Sequence, residues 1–398
     1  MPPLSRLYMD NAATSFPKPP AVAQAVFEHL AHSGGSAGRG AYREAIESGR
    51  LFDRCRAALR SLFGLRANDG IAFALNCTDA LNLAIKGLVP TGGHVVTSAM
   101  DHNSVLRPLS ALAERSGVRW DAIVPNAETT RLDPRAVADA IRPDTALVVL
   151  SHASNVTGAL QPIREIAAAC RAQQVPLLLD AAQTAGHVPI DFEKLGIDLL
   201  ACPGHKGLMG PLGTGVLAFC QEFAARIRTL REGGTGSSSE LPNQPESLPD
   251  KFEPGSQNAV GVAGLLAALE WILERGVAAI RAHEMELSAA FVERVSGIDG
   301  FRLYGPIEAD RRVGVFSFSV DGLEPSEVAA LLESRFEILT RAGLHCAPLA
   351  HRAMGTVANG GLTRASFGAF TTMADVERLA DALASLSGVA PTSARRLR

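Results

Sequence analysis

Lysine is scarce in this chain. Of its 38 basic residues only Lys18, Lys86, Lys194, Lys206 and Lys251 carry an amine, so chemistry that needs one has five candidates. No apolar run approaches the roughly 20 residues that span a bilayer, which gives no membrane segment and no membrane partner. The opening Met-Pro-Pro-Leu-Ser-Arg lacks the charged start and long apolar stretch of a secretory signal, so a cytoplasmic location is expected. An excess of either charge is missing too: a formal net charge of -3 gives no reason to expect nucleic acid as a partner. The six cysteines form no Cys-x-x-Cys pair, which excludes zinc ribbons and thioredoxin-like sites, and no metal is expected. In a reducing compartment a scattered cysteine is ordinarily a small core residue, a reading that covers all of them but Cys346.

The chain has 398 residues, 47% apolar and 20% charged, the balance of a globular protein with two or three domains. From Ile71 to Phe219 short β-rich runs alternate with helical patterns. Strands are expected at Ile71–Leu75, His94–Ser98, Arg119–Val124, Ala146–Ser151, Pro176–Asp180, Asp198–Cys202 and Gly215–Phe219, with helices at Thr78–Gly87 and Ile163–Gln173 among them. Continuous apolar strands separated by helices predict an α/β fold with a mainly parallel sheet covered on both faces. Glu232–Gly255, rich in Gly, Ser and Pro, reads as a long loop. A helix over Asn258–Arg275 follows, running into a second through Leu287. From Phe301 the pattern is strand, strand, helix, strand, with Val313–Val320 alternating as a half-buried strand does, and a last helix near Asp375–Leu386. That is a smaller α+β domain.

Asp180 closes an apolar strand, the end of the strand at which open α/β sheets bind ligands. Gln183 follows in Asp-Ala-Ala-Gln, and Lys206 lies in Pro-Gly-His-Lys-Gly just past the next strand. A carboxylate and an amine at neighbouring strand ends can face one cavity. Pyridoxal phosphate needs such a pair, the amine for its aldehyde and the carboxylate to keep its ring nitrogen protonated. Taken alone, Asp180 could equally cap a turn and Lys206 could be a surface charge. The other lysines compete poorly: Lys18 lies between prolines, Lys86 near a helix end, Lys194 in a polar stretch, and Lys251 at the end of the loop.

Tyr-Met-Asp-Asn-Ala-Ala-Thr-Ser (8–15), Ser-His-Ala-Ser-Asn-Val-Thr-Gly (151–158), Asp-Ala-Ala-Gln (180–183) and Gly-His-Lys (204–206) together resemble the class V aminotransferases, with the cysteine desulfurases as the nearest branch. The resemblance runs from about residue 8 to 386. It implies that His102 stacks on the cofactor ring and helps move protons as a catalytic residue, and that Asn155 and Gln183 hydrogen-bond its phenolic oxygen, Asn155 meeting the substrate as well. Thr78 before a helix and His205 would contact the phosphate, and Ser256 would reach the phosphate of the other subunit of a homodimer. Cys77 and Pro203 stand where relatives commonly carry hydroxyls, and Gly38 where many carry a histidine. Those departures bear on cofactor affinity and substrate handling.

The resemblance also implies that Arg364 grips a substrate α-carboxylate, a bidentate task suited to guanidinium, with Arg341 assisting. A structural salt bridge is the plainer reading of either. Arg-Ala-Gly-Leu-His-Cys-Ala (341–347) resembles a persulfide-forming loop. Its small residues suggest a mobile, accessible segment in which Arg341 and His345 favour the Cys346 thiolate. The expectation is a pyridoxal-phosphate-dependent cysteine desulfurase that converts L-cysteine to L-alanine and passes sulfur from Cys346 to an acceptor protein. Residues 15–255 would form the cofactor domain, with 1–14 and 256–398 forming the small one. A selenocysteine lyase, another class V aminotransferase or lyase, or a low-turnover cofactor-binding protein that docks a sulfur acceptor remain open at this point.

Overall fold

The run Thr-Ala-Leu-Val-Val-Leu-Ser forms strand Thr145–Ser151, and successive side chains of a strand leave on opposite faces. Leu147 and Val149 join Leu81, Val105 and Leu109 on one face, while Val148 and Leu150 join Phe52, Leu59 and Ile166 on the other. Neither face meets water, which is why the run is apolar without alternation. Leu177–Asp180 and Leu199–Pro203 divide their side chains in the same way. Each such fully buried Leu or Val stabilises by about 1.5–3 kcal/mol relative to exposure.

The computed structural model describes residues 6–33, 35–37 and 40–387, so Gly38 lies outside the described residues. Its large sheet has seven strands in the spatial order Gly70–Ala74, Gly215–Phe219, Leu199–Pro203, Leu177–Asp180, Thr145–Ser151, His94–Ser98, Arg119–Ile123. All are parallel except Gly215–Phe219, which runs against both its neighbours. Helices cover both faces, Cys77–Leu88 and Asn103–Ser116 on one and Arg43–Phe63, Ile163–Ala172 and Ala259–Arg275 on the other. The fold is therefore α/β with a mainly parallel sheet. In parallel register Ser151 stands beside Asp180 and Asp180 beside Ala201, so three strands end at one edge.

A second, antiparallel sheet has the order Arg341–Gly343, Leu362–Ser366, Val315–Val320, Phe301–Tyr304. Phe291 from helix Val277–Val295, Leu332 from Pro325–Phe336 and Leu383 from Met373–Ser387 pack with Phe316 and Phe318 beneath it. The two expected helices follow one another as Ala259–Arg275 and Val277–Val295, joined by Gly276 at φ +83°, and the second runs beyond Leu287 to Val295. Several features escaped the sequence pattern, among them the helices Pro20–His32 and Arg43–Phe63. Leu7–Tyr8 pairs in parallel with Ile338–Leu339, and a short helix, Pro348–Ala353, follows the Cys346 turn. The long loop folds back on itself, Gly255 N donating to Gly234 O (2.8 Å), and is moored by a Glu253–Arg56 ion pair of 2.6 Å. No helix among the described residues is long and apolar enough to cross a membrane.

Candidate active site

Lys206 sits in a turn that only a glycine-rich sequence can make. A Cβ at Gly204 would lie 2.1 Å from Thr214 Oγ1, and one at Gly207 would lie 2.4 Å from Ala185 O. The turn opens beside the carboxyl ends of the three parallel strands, against a cavity of about 430 Å³. Thr78, His102, Asn155, Asp180, Gln183, His205 and Lys206 all line it, together with Cys77 and Pro203. Burial and the nearby Arg364 push the Lys206 amine below the ordinary lysine pKa. Burial raises Asp180 to about 6, against the donors Ala182 N at 2.9 Å and the Cys77 thiol at 3.5 Å. Both groups hold their charge less firmly than in water. A ligand bringing a compensating charge would restore it.

The helix Cys77–Leu88 presents its N-terminus to the same cavity. Its cap is Asn76, whose side chain accepts from Asp79 N, so Thr78 lies inside the first turn rather than ahead of it. Buried His205 Nδ1 has no hydrogen-bond partner, a polar atom in wait of an acceptor or donor from a ligand. His102 is itself the cap of Asn103–Ser116: its Nδ1 accepts from Ser104 N at 3.0 Å. With Nδ1 accepting, the neutral ring carries its proton on Nε2. Burial, then Lys206 and Arg107, lower its pKa to about 4, so it faces the cavity uncharged. Asp101, next in sequence, is fully buried and accepts from Thr97 Oγ1, Ser98 N, Ser98 Oγ and Ser151 N. It clamps two strand ends and thereby fixes His102.

Arg364 comes from the second sheet and lies behind Asn155, donating through Nη1 to Asn155 O (2.9 Å). Nη2 makes a 2.8 Å ion pair with Asp10. Arg341 is its cross-strand partner, so both side chains leave the sheet on one face. Cys346 is exposed, and its carbonyl accepts from Asn103 N at 2.8 Å, which sets it beside His102. Its segment is less free than its small residues suggest. Asn155 Nδ2 donates to His345 O at 2.6 Å, and His345 and Cys346 both adopt positive φ, 46° and 57°. Such backbone costs on the order of 1–3 kcal/mol per residue and persists only where the surroundings impose it. The expected help from His345 is overturned. Its ring is buried with Nε2 against Leu362 O, and burial drives its pKa far down, so it is neutral and lends no positive charge to the thiol.

Seven of the expected residues thus share one cavity, and Cys346, Arg364 and Arg341 gather beside it. Ser256 does not: it is exposed and lines a neighbouring pocket with Arg231 and Asn258. Sequence reasoning missed Asp10, Asp101 and Ser104. Asp10 lay in the Asp-Asn-Ala-Ala-Thr run without a role, and the capping of His102 was signalled only by Ser104 two residues on.

A family model described as Aminotransferase class-V matches residues 7–379. A probable cysteine desulfurase of Methanothermobacter thermautotrophicus is 32% identical over 96% of this chain and 95% of its own length. A probable cysteine desulfurase 2 of Mycobacterium leprae is 34% identical over 94% and 89%. Among solved structures, the apo cysteine desulfurase of Thermococcus onnurineus NA1 superposes with a TM-score of 0.87 at 31% identity, over 96% of this chain and 94% of that one.

Proposed function

We infer function from one premise: this chain belongs to the class-V aminotransferase family. We propose that it is a pyridoxal-phosphate-dependent cysteine desulfurase, releasing L-alanine and leaving the sulfur on Cys346. The observation that carries this reading is the placement of Lys206 and Asp180 in one cavity, with an exposed thiol beside it. That cavity fits the cofactor. Lys206 would hold its aldehyde, Asp180 its ring nitrogen, Gln183 and Asn155 its phenolic oxygen, and Thr78 and His205 its phosphate, with His102 against the ring. Bound there, the cofactor supplies an electron sink for charge that develops on the substrate.

The remaining work falls to the protein. Arg364, with Arg341 across the sheet, binds the substrate α-carboxylate and orients the α-C–H toward Lys206 Nζ. Lys206, whose amine gives up its proton more readily than usual, takes the α-proton and later returns it to the product carbon. Cys346 Sγ attacks the substrate sulfur; the S–S bond forms, the C–S bond breaks, and its electron pair stays with carbon. The persulfide on an exposed residue is open to a sulfur-acceptor protein. Ser256, turned away from this chain's own cavity, is assigned to the phosphate of a second copy in a homodimer.

The test is Cys346→Ser. The holoenzyme should keep its visible absorbance, yet alanine release from L-cysteine should fall by about 10³-fold or more. Intact-mass analysis of wild type after L-cysteine should show one added sulfur, mapped to the Cys346 peptide. Full alanine release by the variant would sink the assignment, and a faster rate on selenocysteine than on cysteine would redirect it to a selenocysteine lyase.

A further inference from the structure

Arg364, the buried member of the guanidinium pair assigned to the substrate carboxylate, already holds one. Its side chain is only 3% exposed, Nη2 is taken by Asp10 Oδ1 at 2.8 Å, and Nη1 by Asn155 O at 2.9 Å. Buried Nε makes no bond. Asp10 is partly exposed and stands on the solvent side of the pair. Its backbone is fixed by a bridge to Ser366, two residues along the strand from Arg364, and by Tyr8 Oη donating to Asp10 O at 3.1 Å. Arg341 lies opposite Arg364 in the antiparallel register, an arrangement of like charges that costs stability on its own. The titratable groups around Arg364 include Asp10, Arg341, Cys346, Lys206, Tyr8, His102 and His345. Two guanidiniums stand opposite each other here, and the one fixed carboxylate, Asp10, is paired to Arg364. The face is short of one negative charge.

We propose that Asp10 is a specificity-determining residue: an internal carboxylate that holds Arg364 in place and competes with the substrate α-carboxylate for it. This rests on the reading that Arg364 receives that carboxylate. The substrate supplies the missing charge, but only by crowding or displacing Asp10, so affinity is held below what two arginines would give alone. Ligands whose acidic group is strong enough to share the guanidinium are admitted, and amino compounds lacking a carboxylate gain nothing from Arg364 because Asp10 already satisfies it. Two carboxylates on one guanidinium in a part-buried site repel strongly, because little water screens them.

The experiment titrates holoenzyme with L-alanine, which binds as an amino acid but has no sulfur to lose, following the visible absorbance change. Asp10→Asn keeps the hydrogen-bond acceptor and removes the charge. It should bind L-alanine about tenfold more tightly, and KM for L-cysteine should fall about tenfold with kcat within about twofold. Asp10→Glu, which restores the charge, should return the affinity to within about threefold of wild type. Because Asn leaves Arg364 less well compensated, the melting temperature without ligand should drop, and L-alanine should raise it further than in wild type. Should Asn not be tolerated, Asp10→Ser leaves room for a small anion, and acetate should raise its melting temperature but not that of wild type. Unchanged or weaker L-alanine binding by Asp10→Asn, or no selective effect of acetate on Asp10→Ser, overturns the proposal. Arg364→Lys separates the two levels of inference. If it weakens L-alanine binding while the Asp10 variants behave as wild type, only the role of Asp10 is wrong. If it binds L-alanine normally, the carboxylate reading of Arg364 itself has failed.

Discussion

Lys206 illustrates how much one side chain owes to its surroundings. Glycines on both sides let its turn pass close to Thr214 and Ala185, and burial lowers the pKa of its amine. Lys206→Ala should therefore abolish the lysine-dependent visible absorbance of the holoenzyme and reduce alanine release by at least about 10³-fold, as an absorbance scan and a product assay would show. A band that survives in the variant would place the cofactor elsewhere. Lys206 and Asp180 were legible in the sequence because each follows a strand whose apolar run announces itself. The partners that tune them were not. Asp10 and Arg364 meet across 354 residues, and no local pattern encodes such a contact. His345 looked like a charge donor to Cys346 by adjacency alone, whereas the backbone turn sends its ring under Leu362 and leaves the thiol outside. His102 likewise does more than its motif suggests, since capping a helix settles which of its nitrogens carries the proton.

At the scale of elements, the sequence predicted strands well where apolar runs were continuous, His94–Ser98 and Gly215–Phe219 to the residue. It missed a strand only two residues long, Leu7–Tyr8, which leaves no periodic signal, and it gave no element to the helices Pro20–His32 and Arg43–Phe63. The segment Ser154–Gly158, which carries Asn155, is the element on which the two sheets meet. Gly158 has φ +77°, donates to Ser154 O and accepts from Val313 N, and a Cβ on it would stand 2.5 Å from Val315 O and 2.8 Å from Val313 O. Those are backbone atoms of the second sheet's strand Val315–Val320 and of Val313 leading into it, and have nowhere to go. Gly158→Ala should cost about 3 kcal/mol or more in denaturant unfolding, from overpacking together with the left-handed backbone. A loss below about 1 kcal/mol would mean the sheets part more easily than this contact implies.

The whole molecule buries an unusual set of neutral imidazoles. His102, His152, His205 and His351 are each lowered to about 4, first of all by desolvation. Between pH 6.5 and about 4 the unfolded chain binds protons that the folded one refuses, so stability is full above that window and falls as pH drops through it. Asp180, raised to about 6, acts in the opposite sense between 3.8 and 6, as do Asp101, Asp198 and Glu253, which burial also raises; His345, driven far down, and Glu284, held at about 2, act with the four histidines. The denaturant midpoint of the cofactor-free protein should therefore be lower at pH 5 than at pH 7, and a flat profile would mean the histidines are open to water. The tie between Asp10 and Arg364 also has a bearing on how the protein is made. Until the ribosome has added Leu362–Ser366, the strand holding Arg364 does not exist, and the segment around Asp10 can dock only through its bonds to Gln183 and His205. The large sheet can form early from its own neighbouring units, but the pocket's second wall must wait for the finished polypeptide.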